Sequence, residues 1–405
     1  MELPLGNGTV EFELQQCDVT VAEPDGGEPV DVRSAAERAV ADPHGPPLVD
    51  RVEPDDTVAI VVTDVTRATP DDVLVDVLLS ELQRVGIARE QVTIVLGLGL
   101  HRPMTDEEIE SALGEHADLA VNHDPDDTVV VGEVDGAEVR INRRVTQADR
   151  VIATGMVEPH QYAGFSGGGK TVAIGAGGEP LIRYTHGPEM LSKDDVRLGR
   201  VDGNPFRTAV DEAGELAGLE FSINVTHGPA GILDVAAGDP RAVVDDLAES
   251  AKRALSVEVE GGYDVVLGGV GAPKDANLYQ TTRAATYVIL GAKNPLKPGG
   301  RVVLPAELPE GPGQGTGEQR FYERLSSSES AEAVYEEMRK GYEPGAQRAF
   351  VVARALLDHD VYITNSQSPA VVEECLMHAA DSVEDAIEPG SRVLVVPEAL
   401  NTLLV

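Results

Sequence analysis

The sequence predicts an α/β fold consisting of two α/β domains with helix-covered, largely parallel sheets and an active site between them. Apolar runs alternate with amphipathic helical patterns along much of the 405-residue chain, the order typical of βαβ units. Hydrophobic residues make up 42% of the sequence, which is enough for a large core, and a chain of this length predicts two domains or three.

The clearest βαβ unit comes early in the chain. "TVAIVVTD" (57–64) predicts a strand, "DDVLVDVLLSELQRVG" (71–86) an amphipathic helix with an acidic N-cap, and "QVTIVLGLG" (91–99) the next strand. In parallel sheets, functional residues lie at the carboxyl ends of strands. Asp64 and His101 follow two such ends.

A second apolar series begins at "YDVVLGGVGAPKD" and continues through "GGRVVLPAE", the predicted helix "AEAVYEEMRKGY", the strand "DVYITNS" and the helix "AVVEECLMHAAD". We expect a domain boundary near Gly261, with an N-terminal domain over residues 1–260 and a C-terminal α/β domain over 261–390. The last strand, within 391–405, can close the second domain or return to the first. A site between the two domains is the default expectation.

The chain is strongly acidic, with 70 Asp and Glu residues against 32 Lys and Arg and a formal net charge of −38. A surface of this kind repels nucleic acid and anionic membranes, so neither is expected as a partner. It is also typical of enzymes from extreme halophiles. No apolar run is long enough to span a bilayer and the N-terminus does not resemble a signal peptide, so we expect a cytoplasmic protein. The two cysteines, Cys17 and Cys375, cannot build a disulfide framework or a thiolate metal cage.

The stretch "GFSGGGKT" (164–171) satisfies the phosphate-loop pattern at every position. Its flanks do not fit. "EPHQYA" separates it from the predicted strand "RVIATGMV" (150–157), and the following "TVAIGAGGEP" is too rich in glycine for a helix. A P-loop-like nucleotide-binding protein or NTPase therefore stays only as an alternative. "GLGLH" likewise lacks the third glycine of a dinucleotide loop.

Three of the nine histidines, His101, His160 and His186, lie in loops bounded by glycine or proline. Any one of them alone is most simply a solvated or hydrogen-bonded loop residue. Lys170, in the triple-glycine loop, suggests a task that arginine cannot perform, because an amine can be deprotonated and acylated or form a Schiff base. A simple anion contact is the alternative.

The stretch "TDVTRATP" places an acceptor, a hydroxyl and a guanidinium fork directly after a predicted strand, in Asp64, Thr66 and Arg67. Such a set suits a carboxylate or a phosphate. Strand-end turn chemistry, with Asp64 capping the following helix, explains it equally well.

Taken together, these stretches resemble the nickel-dependent lactate racemases and their relatives that act on 2-hydroxy acids. The resemblance extends over nearly the whole chain, in the family's order and near its spacing. It is carried by "DVTRATP", "GLGLHRPMTDEE", "EPHQYAGFSGGGKTVAIGAGG", "THGPEM", "DGNPFR" and "GAPKDANLYQTTRA". The loop that mimics a phosphate loop is explained by this resemblance.

The resemblance implies a nickel pincer nucleotide as cofactor, that is, a nickel pyridinium-3,5-bisthiocarboxylic acid mononucleotide. It implies a covalent anchor at Lys170, a protein ligand to nickel at His186, and a pair of catalytic bases in His101 and His160. The family's roles also place cofactor-binding residues at Asp64, Val65, Thr66 and Arg67, and substrate-binding residues at Arg67, Tyr279, Gln280 and Arg283. The soft sulfur ligands would arrive with the cofactor, which agrees with the scarcity of cysteine.

The implied activity is racemisation or epimerisation of a small 2-hydroxy acid by reversible hydride transfer. Lactate is the first choice. Arg283 stands where the lactate enzyme has lysine, and the chain has no tryptophan, so malate, a sugar acid and an aryl or longer-chain hydroxy acid remain alternatives. Cofactor-synthesis and nickel-insertion enzymes are the implied protein partners. A homologue that holds the nucleotide without racemising anything has the same motifs.

Overall fold

The computed structural model describes residues 1–343 and 345–405. They divide into two compact units. The unit that we call central comprises Gly26–Thr185 and Gly199–Ala254, and the unit that we call terminal comprises Met1–Asp25, His186–Leu198 and Leu255–Val405. Met1–Asp25 and His186–Leu198 thus group with the C-terminal part of the chain.

The strands of the described residues are numbered in chain order. They are β1 (Glu2–Leu5), β2 (Gly8–Glu11), β3 (Asp18–Val21), β4 (Val58–Thr63), β5 (Val92–Gly97), β6 (Ala120–Asn122), β7 (Thr128–Val134), β8 (Ala137–Asn142), β9 (Arg150–Met156), β10 (Pro159–His160), β11 (Gly164–Phe165), β12 (Leu219–Gly228), β13 (Gly231–Gly238), β14 (Ser256–Val257), β15 (Tyr263–Gly268), β16 (Leu296–Pro305), β17 (Asp360–Thr364), β18 (His378–Ala380), β19 (Arg392–Val396) and β20 (Leu403–Leu404).

The α-helices are numbered in the same way. They are α1 (Val32–Ala41), α2 (Asp71–Val85), α3 (Asp106–Leu113), α4 (Arg143–Gln147), α5 (Glu179–Thr185), α6 (Pro188–Leu191), α7 (Pro205–Leu216), α8 (Pro240–Leu255), α9 (Leu278–Ile289), α10 (Thr316–Ser326), α11 (Ala331–Met338), α12 (Gln347–Leu356) and α13 (Pro369–Glu374).

The central unit is built on a six-stranded sheet in the order β13-β12-β9-β4-β5-β6, in which only the β12–β13 pair is antiparallel. The predicted early βαβ unit is confirmed as β4, α2 and β5. The first five residues of β4 are buried and apolar, as expected for a strand covered on both faces. Helix α2 buries Leu74, Leu78 and Leu82 at a spacing of four and ends at Gly86, whose φ of 101° closes the helix in the left-handed region.

The acidic N-cap predicted for α2 is wrong. Pro70 occupies the N-cap position, and Asp71 is the first helical residue, with a buried side chain. Its carboxyl accepts hydrogen bonds from the hydroxyls of Thr63 and Thr154. Burial raises the pKa of Asp71 to about 7. A polar residue before an apolar helix predicts a cap, but here it joins a buried network at the end of β4.

The terminal unit contains a six-stranded, all-parallel sheet in the order β18-β17-β16-β15-β19-β3. The last strand of this sheet in sequence, β19, pairs with β15, and β3 pairs with the free edge of β19. Residues 391–405 therefore do not return to the central unit. Their apolar strand residues complete a core with the N-terminal residues Leu3 and Phe12.

Two predicted helices differ from the structure. The helix predicted over "AVVEECLMHAAD" ends at Glu374, and His378–Ala380 forms β18, because the chain turns through Leu376 at a φ of 63°. The glycine-rich "TVAIGAGGEP" is not free of helix: Thr171–Gly175 forms a π-helical turn, and α5 accommodates Pro180 as its second residue. No helix among the described residues is both long and apolar enough to cross a membrane.

Candidate active site

The turn after β4 is organised by Asp64. Its Oδ1 accepts hydrogen bonds from the backbone nitrogen and the hydroxyl of Thr66, at 3.0 and 2.5 Å. Asp64 is 8% exposed, whereas the neighbouring Val65 is 51% exposed. Asp64 therefore stabilises its own turn and does not cap α2, and the turn presents Val65 and Thr66 at the surface of the central unit.

His101 and Asp64 form a hydrogen-bonded pair across the ends of two adjacent strands. Nδ1 of His101 lies 2.7 Å from Oδ2 of Asp64, and the imidazole is exposed. Because a carboxylate accepts the Nδ1 proton, the neutral ring carries its lone pair on Nε2. Burial acts to raise the pKa of Asp64, but the hydrogen bonds from His101 and Thr66 outweigh it and hold the pKa below its usual value. The arrangement therefore leaves Nε2 of His101 able to accept a proton.

The glycines of "GLGLH" serve a close backbone approach. A Cβ on Gly97 would lie 3.3 Å from the Cα of Gly175, and Gly99 donates its N–H to the Gly175 carbonyl over 2.7 Å. The end of β5 therefore rests directly on the π-helical turn that follows Lys170. This contact explains the glycine pattern without a dinucleotide.

The loop over 164–170 differs from a phosphate loop in its flanks. It begins with β11, the second strand of a short antiparallel pair with β10, and is followed by the five-residue π-helical turn. A phosphate loop instead joins a buried strand to an α-helix. Gly167 and Gly168 adopt φ values of 82° and 58°, and an added Cβ at either would clash with neighbouring atoms. These glycines let the loop pack close to its surroundings.

Lys170 ends this loop. Its side chain is half-buried, and within residues 1–343 and 345–405 no carboxylate lies within ion-pair distance of its amine. Burial, followed by the positive charges of Arg67 and Arg207, lowers the pKa of Lys170 to about 7, against the opposing charges of Glu158 and Asp64. Near neutral pH a large fraction of the amine is therefore unprotonated and nucleophilic.

Glu158 lies between two cationic groups beside this amine. Nε of Arg67 is 3.1 Å from Oε1 of Glu158, and Nε2 of His227 is 3.7 Å from Oε2. Burial acts to raise the pKa of Glu158, but His227, Arg67 and Lys170 lower it below its usual value. Interaction with this carboxylate in turn raises the pKa of His227. Arg67 is thereby held by Glu158, at the turn that Asp64 organises.

His160 has the opposite hydrogen-bond pattern from His101. Its Nδ1 accepts from the backbone nitrogens of Tyr162 and Ala163, at 3.2 and 3.1 Å. The neutral ring therefore carries its proton on Nε2. Its imidazole also packs against the rings of Tyr162 and Phe206, with centroids 5.6 and 6.1 Å away. To accept a proton at Nδ1, the ring must first release the two amides.

The remaining predicted site residues belong to the terminal unit. His186 is half-buried and is the first residue of that unit after α5. Tyr279, Gln280 and Arg283 lie in the first two turns of α9, which Asn277 caps by accepting from the nitrogen of Gln280. Oε1 of Gln280 and Nε of Arg283 are buried and have no hydrogen-bond partner among the described residues. These two atoms remain available for a ligand.

Sequence reasoning gave no role to Glu158, His227 and Arg207, although Glu158 and Arg207 lie within the quoted motifs "EPHQYA" and "DGNPFR". Buried charged residues are rare unless they are paired. Arg207 is buried and Glu158 and His227 are half-buried, which only the fold shows, since nothing in the local sequence distinguishes them from the many exposed charged residues. His227, at the end of a long apolar strand, carried a weak signal by its position.

Asp64 orients His101, and the same turn carries Arg67, whose positive charge helps to lower the pKa of the Lys170 amine. An oriented histidine together with an amine of lowered pKa is typical of an enzyme site. Comparisons with known proteins identify its class. Residues 5–199 match the lactate racemase N-terminal domain, and residues 260–401 match the lactate racemase C-terminal domain. The chain belongs to the lactate racemase family, and it is an enzyme of the isomerase class.

Individual relatives agree with this assignment. The chain is 25% identical to a lactate racemase of Thermoanaerobacterium thermosaccharolyticum, with 100% of this chain and 99% of that protein covered. It is 26% identical to a lactate racemase of Lactiplantibacillus plantarum, over 86% of this chain and 84% of that protein.

Two solved structures share the fold. The lactate racemase apoprotein from T. thermosaccharolyticum superposes with a TM-score of 0.88 at 24% identity, covering 100% of this chain and 99% of that one. A protein from Thermotoga maritima superposes with a TM-score of 0.68 at 16% identity, covering 94% and 99%.

Proposed function

We propose that this enzyme racemises or epimerises a small 2-hydroxy acid, with lactate as the first candidate, using a nickel pincer nucleotide bound covalently to Lys170. The observation that carries the proposal is the half-buried Lys170 amine, whose pKa is lowered to about 7 at the end of a glycine loop. A lysine held in this state is suited to acylation and not to anion binding, because an anion needs the charged form.

The residues around Lys170 suit a nucleotide-derived acyl group. The exposed turn of Val65, Thr66 and Arg67 offers a hydroxyl and a guanidinium for a phosphate. His186 would supply an imidazole ligand to the metal, a common role for a neutral histidine. When bound, the group supplies a hydride acceptor, so that a 2-hydroxy acid and its 2-keto acid interconvert without a carbanion at the α-carbon.

His101 and His160 would transfer the proton of the substrate hydroxyl. Nε2 of His101 takes the proton of the substrate hydroxyl, and Asp64 stabilises the imidazolium that forms. Nε2–H of His160 donates a hydrogen bond to a substrate oxygen, and His160 becomes a base only when its ring leaves the amides of Tyr162 and Ala163. Once the ring of His160 has released these amides, each enantiomer has a base that can take its hydroxyl proton.

Arg283 would bind the substrate carboxylate through its unpartnered Nε–H, and the unpartnered Oε1 of Gln280 would accept a hydrogen bond from the substrate hydroxyl. A guanidinium can hold a carboxylate through two parallel hydrogen bonds, which lysine cannot reproduce. This difference from the lactate enzyme keeps malate, a sugar acid and an aryl or longer-chain hydroxy acid as alternatives to lactate.

The test is an intact-mass measurement of protein purified from its native host, combined with racemisation assays on pure enantiomers of each candidate acid. We expect an adduct on Lys170 and conversion of one acid in both directions. Lys170→Arg should fold normally and contain no adduct. An unmodified mass in protein that racemises its substrate would refute the covalent anchor. An adduct without exchange of the substrate's α-hydrogen would indicate a homologue that holds the nucleotide but does not racemise.

A further inference from the structure

One face of α7 lies against the glycine loop. Arg207, Asp211 and Gly214 share this face at a spacing of four and three residues. A Cβ on Gly169 would lie 2.8 Å from the Cα of Asp211, and a Cβ on Gly214 would lie 2.8 Å from the Cα of Gly169. Loop and helix are thus in backbone contact, and only glycine fits at 169 and 214.

Arg207 reaches from this face into the loop. Its side chain is 3% exposed, and its Nη1 donates to the carbonyls of Phe165 and Gly167 at 3.3 and 3.2 Å. Its Nη2 lies 2.8 Å from Oδ1 of Asp211. Burying a guanidinium is unfavourable unless it is paired, and apolar residues of similar volume often replace buried ion pairs without loss of stability. Packing alone therefore does not account for an arginine here.

The N-terminal end of α7 contacts the turn that carries His160. Asn204 caps the helix by accepting from the nitrogens of Phe206 and Arg207, and its Nδ2 donates to the Tyr162 carbonyl over 2.7 Å. The ring of Phe206 packs on His160. The segment "DGNPFR" (202–207) therefore contacts both the turn that carries His160 and the loop that carries Lys170.

We propose that Arg207 is a positioning residue for Lys170: it fixes the glycine loop through two carbonyls and places a buried positive charge beside the amine, which keeps that amine neutral and nucleophilic. The proposal rests on the proposed function, in which this amine is acylated. It assigns to "DGNPFR" the task of preparing the apoprotein for its cofactor.

The charges facing Lys170 support this assignment. Burial contributes most to lowering the pKa of Lys170, Arg67 and Arg207 contribute next, and Glu158 and Asp64 oppose them. The charge of Arg67 is offset by Glu158 at 3.1 Å, and the charge of Arg207 by Asp211 at 2.8 Å. The two arginines act from different elements: Arg67 from the turn after β4, and Arg207 from α7, where its side chain is 3% exposed and fixed by the carbonyls of Phe165 and Gly167.

The experiment measures the acylation of Lys170 in the apoprotein as a function of pH. Pulses of acetic anhydride between about pH 5.5 and 10 acetylate neutral amines only: the nitrogen bonds to the carbonyl carbon, acetate leaves, and the ammonium proton passes to solvent. Peptide mass spectrometry compares Lys170 with the exposed Lys340. In the wild type we expect a midpoint near 7 for Lys170, with the acetylation of Lys340 as the internal reference for the dose of reagent.

The test variant is Arg207→Met/Asp211→Leu, which removes both members of the pair and leaves no buried charge unpaired. Its midpoint should rise by about one pH unit. The control Arg241→Met removes an exposed arginine that pairs with Glu215 and should leave the midpoint unchanged. An unchanged midpoint in the folded double variant would overturn the proposal.

Should the double variant fail to fold, Arg207→Lys decides the question. Lysine keeps the charge but cannot bond both carbonyls, so amide hydrogen exchange over 164–170 should accelerate about tenfold. Exchange equal to the wild type would overturn the proposal. Both measurements use apoprotein, so their failure is distinct from a failure of the proposed function, which would appear as a missing adduct or missing racemisation.

Discussion

Nδ1 of His101 lies 2.7 Å from Oδ2 of Asp64, and this carboxylate is almost fully buried while the imidazole is exposed. The pair joins the end of β4 to the loop after β5. Because the backbone nitrogen of Thr66 also bonds this carboxylate, the exposed imidazole is hydrogen-bonded to an acceptor that is itself fixed in place.

Replacing this carboxylate should therefore impair the base without removing it. In Asp64→Asn, the amide can bond either tautomer of His101, and the imidazolium loses its counter-charge. We expect kcat for racemisation to fall by about 10² to 10⁴. The control Asp106→Asn removes an exposed carboxylate from the first turn of α3. A kcat equal to that of the wild type in Asp64→Asn would exclude the pair from catalysis.

The two histidines should differ in single-turnover experiments. If His101 and His160 each serve one enantiomer, His101→Ala and His160→Ala should abolish net racemisation and show opposite enantiomer preferences in one-time reduction of the cofactor. Because Nδ1 of His160 is occupied by two amides, we expect the slower turnover in His101→Ala. The absorbance of the cofactor with each pure enantiomer provides the measurement. The same preference in both variants would mean that one residue serves both faces.

Lys170 should destabilise the apoprotein. Its pKa in the fold is about 7, below the unfolded value, so between pH 7 and about 10.4 the unfolded chain binds a proton that the folded chain does not, and stability rises with pH. Lys170→Met removes this effect. We expect it to be more stable than the wild type by about 2 to 4 kcal/mol near pH 7, with the gap closing toward pH 10. Urea unfolding across this range measures it, and a gap independent of pH would contradict the lowered pKa.

His123 should make stability sensitive to acid. Its Nε2 donates to the Gly177 carbonyl and its Nδ1 accepts from Nδ2 of Asn142, so the buried ring is satisfied only when neutral. Burial lowers its pKa, against the bond to Gly177 and the charge of Asp124. As pH falls below about 6.5 the unfolded chain gains a proton first, and stability is lost. Thermal melts from pH 8 to 5 should show a smaller acid loss in His123→Gln than in the wild type; equal losses would show that other groups dominate.

His186→Ala should release the metal and leave the fold intact. As a loop residue it should change stability by about 1 kcal/mol or less, while nickel measured by mass spectrometry of metal in cofactor-loaded protein should fall to background. His44→Ala, an exposed histidine of the central unit, is the control and should retain nickel. Stoichiometric zinc without nickel in active protein would contradict the assignment.

The sequence predicts those parts of the fold whose signal is local. β4, α2 and β5 are recognisable because a covered strand is continuously apolar and a half-covered helix repeats every three or four residues. β3 is not recognisable, since its residues are mostly exposed and its partner β19 is far away in the chain. The π-helical turn after Lys170 is hidden by glycines, which disfavour helix on average but here permit contact with Gly97.

Some features of the candidate site also follow from the local sequence, and others depend on the three-dimensional fold. Strand ends place Asp64 and His101 together, and that proximity follows from parallel βαβ order alone. The tautomers do not follow, because they depend on which group each Nδ1 meets in three dimensions. The charges of Arg207 and Glu158 are equally invisible in a chain with 102 charged side chains, the 70 acidic and 32 basic residues together, since only burial distinguishes them.

The pairing of β3 with β19 also constrains the order in which the protein can be made. Asp18 is aligned with Arg392, so β3 is translated before every other strand of that sheet. At about 5 to 20 residues per second, roughly 20 to 75 s pass on the ribosome before β19 is synthesised. In that interval the complete central unit emerges and can fold, while β3 waits with an unpaired edge. Slowing translation between the two strands should lengthen that exposure in proportion.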